Sequence, residues 1–367
     1  MKFSIDRERL VRPLQLLTGV VERRQTLPVL SNVLVIARDN SLEFVGTDLE
    51  VELDIRMNGV DVVGEGSATI PARKLADIVR SFGDGGVVAV ESEGDRTIIR
   101  SGRSRFLLSN LPVADFPRTE SSVADVSFAV ARAQLRNVID RVSFAMAQQD
   151  VRFFLNGMLF EVDRNHLRTV ATDGHRLAMF TLPLVGLSAE RKSVIVPRKG
   201  VQEMSRLLEG EEELANITLG KNYLSLAVGE YSLTTKLVDG QYPDYEKVIP
   251  KTLSKQLVAD RTLFKTALSR VAILSNEKYR GVRLKVEPDQ VVLEANNPER
   301  EEAEEILQVE YAGAPIEIGF NVGYLQDVLG VVGSQQVRLN FTDANGSALL
   351  ESTDGEDAVY VVMPMRL

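Results

Sequence analysis

The chain has 367 residues, 44% hydrophobic and 26% charged, with a net charge of −9, two histidines and no cysteine. These proportions suit a folded globular protein; they exclude disulfides, zinc–thiolate sites, thiol nucleophiles and a multi-histidine metal centre. A chain this acidic does not gather nucleic acid by bulk attraction. No apolar run reaches bilayer length, and Met1-Lys2-Phe3-Ser4-Ile5-Asp6 lacks a signal-peptide layout, so a cytoplasmic protein without membrane partners is expected.

A short strand and then a helix come first, with Leu10, Leu14, Leu17 and Val21 as the apolar stripe. Pro13 inside that stripe predicts a bend or a restart. Ser41-Leu42-Glu43-Phe44-Val45 reads as a strand, and Thr47-Asp48-Leu49 as the turn after it, its aspartate capping its own backbone. A second helix carries Leu75, Ile78, Val79 and Phe82, and the turn Gly83-Asp84-Gly85-Gly86 leads to closing strands. The order restarts at Val126, Phe128 and Val130, an alternating strand. Leu135, Val138, Ile139 and Val142 stripe the next helix, Leu167-Arg168-Thr169-Val170 is the strand, and Val201, Met204, Leu207 and Leu208 stripe the second helix. A third round follows. Leu257 leads to Phe264, Ala267, Leu268 and Val271 behind the N-cap candidate Asp260, then Val291-Val292-Leu293-Glu294, then Val322, Leu325, Val328 and Leu329.

Short motifs fix the period. Thr47-Asp48-Leu49 returns 125 residues on as Thr172-Asp173-Gly174, and after another 124, in weaker form, as Asn296-Asn297-Pro298. Ala72-Arg73-Lys74 returns as Pro197-Arg198-Lys199 and, without its basic pair, as Phe320-Asn321-Val322. Residues 111–117 parallel residues 237–243. A period this long is domain-sized, so each copy has its own core. The expected fold is α+β: three tandem copies of one domain with two helices on antiparallel sheet, over 1–122, 126–250 and 253–367, joined by the polar linkers Arg118–Ser122 and Lys251–Ser254.

Basic residues sit off the apolar stripes: Arg7, Arg73, Lys74 and Arg80; Arg132, Arg136, Arg141, Arg198, Lys199 and Arg206; Arg261, Lys265 and Arg270. Any amphipathic helix shows charge to water. Recurrence on equivalent helices adds a second reading, a basic lining that draws a polyanion inside an acidic shell. Acidic residues gather elsewhere, at Glu209, Glu211, Glu212 and Glu213 and along residues 299–305. Arg96, Arg100, Arg103 and Arg105 fall in the last strands of copy one, with Arg103 and Arg105 on one face. Opposite charge at two places along the chain suits head-to-tail association; a solvated acidic loop is the plainer alternative.

Chemistry-bearing motifs are scarce. There is no G-x-x-x-x-G-K-[ST] loop and no G-x-S-x-G elbow. Asp173 and His175 could form an acid–base pair in an enzyme. The matching Thr47-Asp48-Leu49-Glu50 lacks the His-Arg, so the shared part reads as a turn, and Gly174-His175-Arg176-Leu177 as surface recognition.

Residues 155–160 and 169–177, the segment Ser275–Arg283, Gly102–Phe106 and the tail Tyr360–Leu367 closely resemble the bacterial sliding clamps, the β subunits of DNA polymerase III. The resemblance runs in order along the whole chain. It implies a processivity factor with no catalysis and no cofactor: a head-to-tail homodimer closing as a ring around double-stranded DNA, with helices lining the hole. By similarity, DNA meets Arg24, Arg73, Lys74, Gln149, Phe153, Phe154, Arg198 and Lys199; family members often carry tyrosine at the two phenylalanine positions. The family's pocket for partner peptides maps onto Leu155, Thr172, Gly174, His175, Arg176, Leu177, Pro243, Val248, Asn321, Tyr324, Val361, Met363, Pro364, Met365 and Arg366. Its implied users are the polymerase III α subunit, the clamp loader, other polymerases and repair proteins. The implied dimer interface sets Phe106 and Leu108 against Ile273 and Leu274. There Arg96, Arg103 and Arg105 face Glu299, Glu301, Glu302, Glu304 and Glu305.

Overall fold

The computed structural model describes residues 1–21, 27–119, 124–184, 191–210 and 214–366; Arg24, Glu211, Glu212, Glu213 and Leu367 lie outside them. Six α-helices are described: α1 Arg7–Val20, α2 Ala72–Ser81, α3 Arg132–Val142, α4 Arg198–Leu207, α5 Arg261–Val271 and α6 Val322–Val331. The chain packs as two compact units, Met1–Arg136 with Lys199–Leu237, and Asn137–Arg198 with Val238–Leu367. The middle repeat is therefore shared between them.

The first unit holds a five-stranded and an eight-stranded antiparallel sheet; the second holds another of eight strands and one of four. In the first unit, Tyr231–Lys236 of the middle repeat pairs with Val51–Asn58 of the first. In the second unit, Arg176–Pro183 pairs with Ala358–Val362 of the last repeat. Each eight-stranded sheet thus runs on across a repeat border.

The apolar stripes are buried. Leu10, Leu14 and Leu17, Leu135, Val138 and Ile139, Val201 and Met204, Phe264 and Leu268, and Leu325 and Val328 are at most 2% exposed. Each such side chain contributes about 1.5–3 kcal/mol. That explains α1, which runs through Pro13 without a restart, with Leu10, Leu14, Leu16, Leu17 and Val20 buried around it. Their burial offsets the roughly 3 kcal/mol of an interior proline. Phe82 and Leu208 are buried just beyond the ends of α2 and α4. Asp260 caps α5, accepting from Thr262 and Leu263 N–H at 2.9 Å each.

The repeated turn is built alike in both copies. Asp48 accepts from Glu50 and Val51 N–H (2.9 and 2.7 Å), and Asp173 from His175 and Arg176 N–H (2.9 and 3.0 Å). The next residue is left-handed in each, Leu49 at φ 78° and Gly174 at φ 88°.

A second repeated device was misread from the sequence. The first residue of each repeat's first helix is an arginine that binds carbonyls at the end of that repeat's second helix. Arg7 donates to Val79 and Arg80 (3.2 and 3.3 Å), and Arg132 to Leu207 at 3.0 Å and to Glu209. Arg261 donates to Leu329 (3.2 Å) and Ser334 (3.0 Å). These cations neutralise helix C-termini; they belong to no lining, and Arg132 is buried.

The linker is also less free than its polarity suggests. Arg118 binds Glu43 (2.7 Å) and Asp54 (3.0 Å), and Thr119 N–H donates to Glu52 (2.9 Å). Burial, then the charge of Glu43, raises the Asp54 pKa from 3.8 to about 6. A carboxyl that holds its proton more tightly folded than unfolded makes folding less favourable as pH rises through that window. Asp54→Asn is expected to remove this loss, so melting temperatures across pH 4 to about 6 should fall less steeply than in the unmodified protein. Gly174→Ala, forced to keep a left-handed backbone, should cost about 1–2 kcal/mol, seen as a lower denaturation midpoint.

Candidate functional site on the C-terminal tail and its surroundings

Strand Ala358–Val362 ends beside the middle repeat's turn. Met363 N–H donates to the His175 carbonyl (2.9 Å), and Met365 N–H to that of Gly319 (2.8 Å). Two backbone bonds thus pin the tail along the turn and the strand Ile316–Asn321. At the end of that strand Asn321 caps α6, accepting from Gly323 and Tyr324 N–H (2.9 and 3.3 Å). Tyr324 stacks on His175, with ring centroids 6.4 Å apart at 20°.

Arg176 is a strut. Its guanidinium lies 4.6 Å from the Tyr324 ring centroid and 5.2 Å from that of Phe144. It binds Asp173 (3.1 Å), Asp327 and the Phe144 carbonyl (2.8 Å). Asp173 is thereby committed: one oxygen holds two N–H groups and the other holds Arg176. It offers no free base to His175. Thr172 donates to the Arg176 carbonyl (2.6 Å) and accepts from Gly174 N–H (3.1 Å).

Below the tail lies an apolar floor. Leu177 and Val361 are buried in one cluster with Leu159, Val170, Ile195, Tyr245 and Leu349, and Phe154 and Val248 pack at its margin. Met363, Pro364 and Met365 are half-buried, while Pro243, His175 and Arg366 are exposed. Leu155 is buried outside this cluster. An apolar shelf with movable thioethers and a polar rim suits short apolar peptides.

A buried network behind the shelf escaped the sequence reading. Tyr245 donates to Glu161 (3.3 Å) and accepts from Arg168 (3.2 Å); Arg191 binds the same carboxylate at 2.5 Å. It fixes the 3-10 turn Tyr245–Lys247 that precedes Val248. The available signal was Glu161 inside Gly157–Val162, a strand buried at every position. A groove of about 620 Å³ beyond the tail, lined by Tyr279, Arg283, Glu294, Glu302, Met365 and Arg366 among others, was equally invisible.

The DNA set divides by environment. Arg73 and Lys74 are exposed on α2. Gln149 is left-handed (φ 56°) in an exposed loop, where Phe153 is 56% exposed and meets Phe154 edge-on at 5.8 Å. Asp150 braces that loop, its pKa drawn down to about 2, chiefly by the Arg152 hydrogen bond. Arg198 is half-buried and donates to the Met146 carbonyl (3.1 Å). Lys199 binds Asp48. Three other cations of the basic helix faces are paired: Arg141 with Glu356, Arg206 with Glu203 (2.6 Å) and Arg270 with Glu305 (2.5 Å).

Two strands end their sheets. Ser104–Ser109 closes the five-stranded sheet, and Glu302–Gln308 the four-stranded one. The first carries Arg105, Phe106 and Leu108; the second Glu302, Glu304 and Glu305. Arg103 lies in the hairpin turn after Gly102 (φ 53°), so the same-face argument with Arg105 does not hold. Arg96 opens the neighbouring strand Arg96–Ser101, opposite Ser109 of the first edge, and Leu274 ends the 3-10 turn Ala272–Leu274, which packs by the second edge and whose Ile273 is 77% exposed. Leu107 and Ile306 are 45% and 56% exposed on the two edges. Glu301 is engaged in its own turn with Asn297 (2.7 Å), next to exposed Glu299.

Three family models match in order: the N-terminal, central and C-terminal domains of the DNA polymerase III beta subunit, over residues 1–120, 129–244 and 246–366. The chain is 53% identical to the beta sliding clamp of Pseudomonas aeruginosa and 49% to that of Escherichia coli K12, with both chains covered in full. A solved Pseudomonas aeruginosa sliding clamp bound to griselimycin superposes with a TM-score of 0.97 at 52% identity, and a Caulobacter crescentus clamp with 0.93 at 38%, each covering both chains in full. Whole-length identity of this order, over three domain matches, places the chain in the DNA polymerase III beta subunit family, the sliding clamps of bacterial DNA replication.

Proposed function

We propose that two copies associate head to tail into a closed ring around duplex DNA and hold polymerases to it by the tail shelf. The observation that carries this reading is the pair of strand edges, one bearing Arg105 and the other Glu302 and Glu304. An unpaired edge is a template for another strand, and opposite charge selects the partner and its direction. Phe106, Leu108, Ile273 and Leu274 supply apolar contact, with Arg96 and Arg103 beside the acidic run.

In a closed ring retention depends on topology, so DNA contacts can be weak and blind to sequence, which permits sliding. Arg73 and Lys74, exposed and short of partners among the described residues, suit such contacts; Gln149, Phe153, Phe154 and Arg198 join them, and Arg24 by similarity. Tethering raises a polymerase's local concentration at the primer end. The protein would act without catalysis of its own; Asp173, the acid–base candidate, is held by two backbone N–H groups and by Arg176. Opening is the work of a separate ATP-driven loader. No described helix is long and apolar enough to cross a membrane, and a replication clamp works in the cytoplasm.

The shelf takes apolar peptide segments of the α subunit, the loader and repair proteins; by likeness to the griselimycin-bound relative the protein also binds griselimycin. After loading, the protein should remain on nicked circular DNA and run off linear DNA; equal loss from both would reject topological retention. Removal of residues 363–367 should weaken binding of an α-subunit peptide at least tenfold by fluorescence anisotropy, with the dimer mass by light scattering unchanged; unaltered affinity would exclude the shelf.

A further inference from the structure

The floor of the shelf is one face of an eight-stranded sheet, and that face carries a polar row beside its apolar ones. Register sets Ser193, Glu161, Arg168 and Thr181 side by side across the strands Lys192–Pro197, Gly157–Val162, His166–Thr172 and Arg176–Pro183. Ile195, Leu159, Val170 and Met179 lie two residues along the same strands, so they share the face; the first three are buried in the floor cluster, and Met179 packs against it. The segment 238–253 crosses this face, with Val238, Tyr242, Val248, Ile249 and Leu253 packed on the cluster and Tyr245 a member of it. Tyr245 reaches both rows. Its ring is in the apolar cluster, while its hydroxyl donates to Glu161 (3.3 Å) and accepts from Arg168 (3.2 Å) in the polar row. Its carbonyl accepts from Val248 N–H at 3.0 Å. One residue therefore ties to the sheet the stretch that carries Pro243 and Val248 of the shelf.

Charge balance does not depend on the hydroxyl. The Glu161 carboxylate also holds Arg191 (2.5 Å) and Ser193 (3.3 Å), and Arg168 also donates to Thr181 (3.2 Å). What the hydroxyl adds is a fixed seat for the 3-10 turn Tyr245–Lys247 and for Val248 behind it. A wall that is already in place need not be ordered by the ligand, and a preorganised site binds more tightly for that reason. Tyr245 is only 6% exposed, so it offers a peptide almost no surface. We propose that Tyr245 is a positioning residue of the peptide shelf: its hydroxyl, held in the polar row, seats Val248 over the apolar floor and so governs partner-peptide affinity without touching the peptide. This role rests on the reading of the shelf as the peptide site.

The test is titration of the full-length protein with a fluorescent α-subunit peptide, with melting temperatures and particle mass alongside. Tyr245→Phe keeps the ring in the cluster and removes only the hydroxyl. It should weaken peptide binding by about two- to tenfold, the range that one hydrogen bond spans, at unchanged particle mass. Val248→Ala should weaken binding as well, and the double variant should bind no worse than Val248→Ala alone, because the hydroxyl acts through Val248. Leu226→Val trims a fully buried side chain of the other compact unit. It should lower the melting temperature and leave peptide affinity as it was, which separates positioning from general stability. Unchanged affinity in Tyr245→Phe would overturn the proposal. So would additive losses in the double variant, or a loss in Leu226→Val equal to that in Tyr245→Phe. Should Val248→Ala and removal of residues 363–367 both leave peptide binding intact, the shelf is not the peptide site, and the role of Tyr245 falls with it.

Discussion

Backbone ladders that cross the repeat borders govern the rest of the molecule. In the first unit Thr235 lies opposite Val51 and Leu233 opposite Leu53; in the second, Leu177 lies opposite Val361 and Arg176 opposite Val362. A slip of one residue would turn every side chain of a strand to the wrong face, so each seam fixes one repeat against the next. Both Thr-Asp turns stand at the start of a seam strand. Asp48 reaches Lys199 there, and Asp173 reaches Arg176. The tail shelf also begins at a seam, since Leu177 and Val361 form part of its floor. Sites and scaffold are built from the same few residues.

Charge is distributed by need. Of the cations that the helix periodicity places off the apolar stripes, three cap helix ends, and several others are spent on carboxylates within the chain. Among the described residues Arg73 and Lys74 have no such partner and are exposed. A protein that must slide along a polyanion has little use for a densely cationic surface, because every firm phosphate contact slows movement.

The repeats, the apolar stripes, the Asp260 cap and the Thr-Asp turns were legible in the sequence, because each is a local pattern with a fixed period. Pairing between distant side chains was not. Arg132 and Arg73 both sit near a helix start and read alike, yet one is buried against Leu207 and Glu209 and the other faces solvent. The restart offered for Pro13 did not occur because tertiary burial outweighed a local cost. Glu161 was missed since a carboxylate among strand hydrophobes announces its partners, Tyr245 and Arg191, only once the chain has folded.

The arginine at the head of each repeat's first helix also bears on descent. Its carbonyl acceptors belong to backbone, which every residue but its neighbours may drift around without changing. Such a contact survives substitution at the receiving end, whereas a side-chain pair demands two matched changes. Among copies that have otherwise diverged as far as Asn296-Asn297-Pro298 from Thr47-Asp48-Leu49, Arg7, Arg132 and Arg261 therefore make a durable marker of common ancestry by duplication.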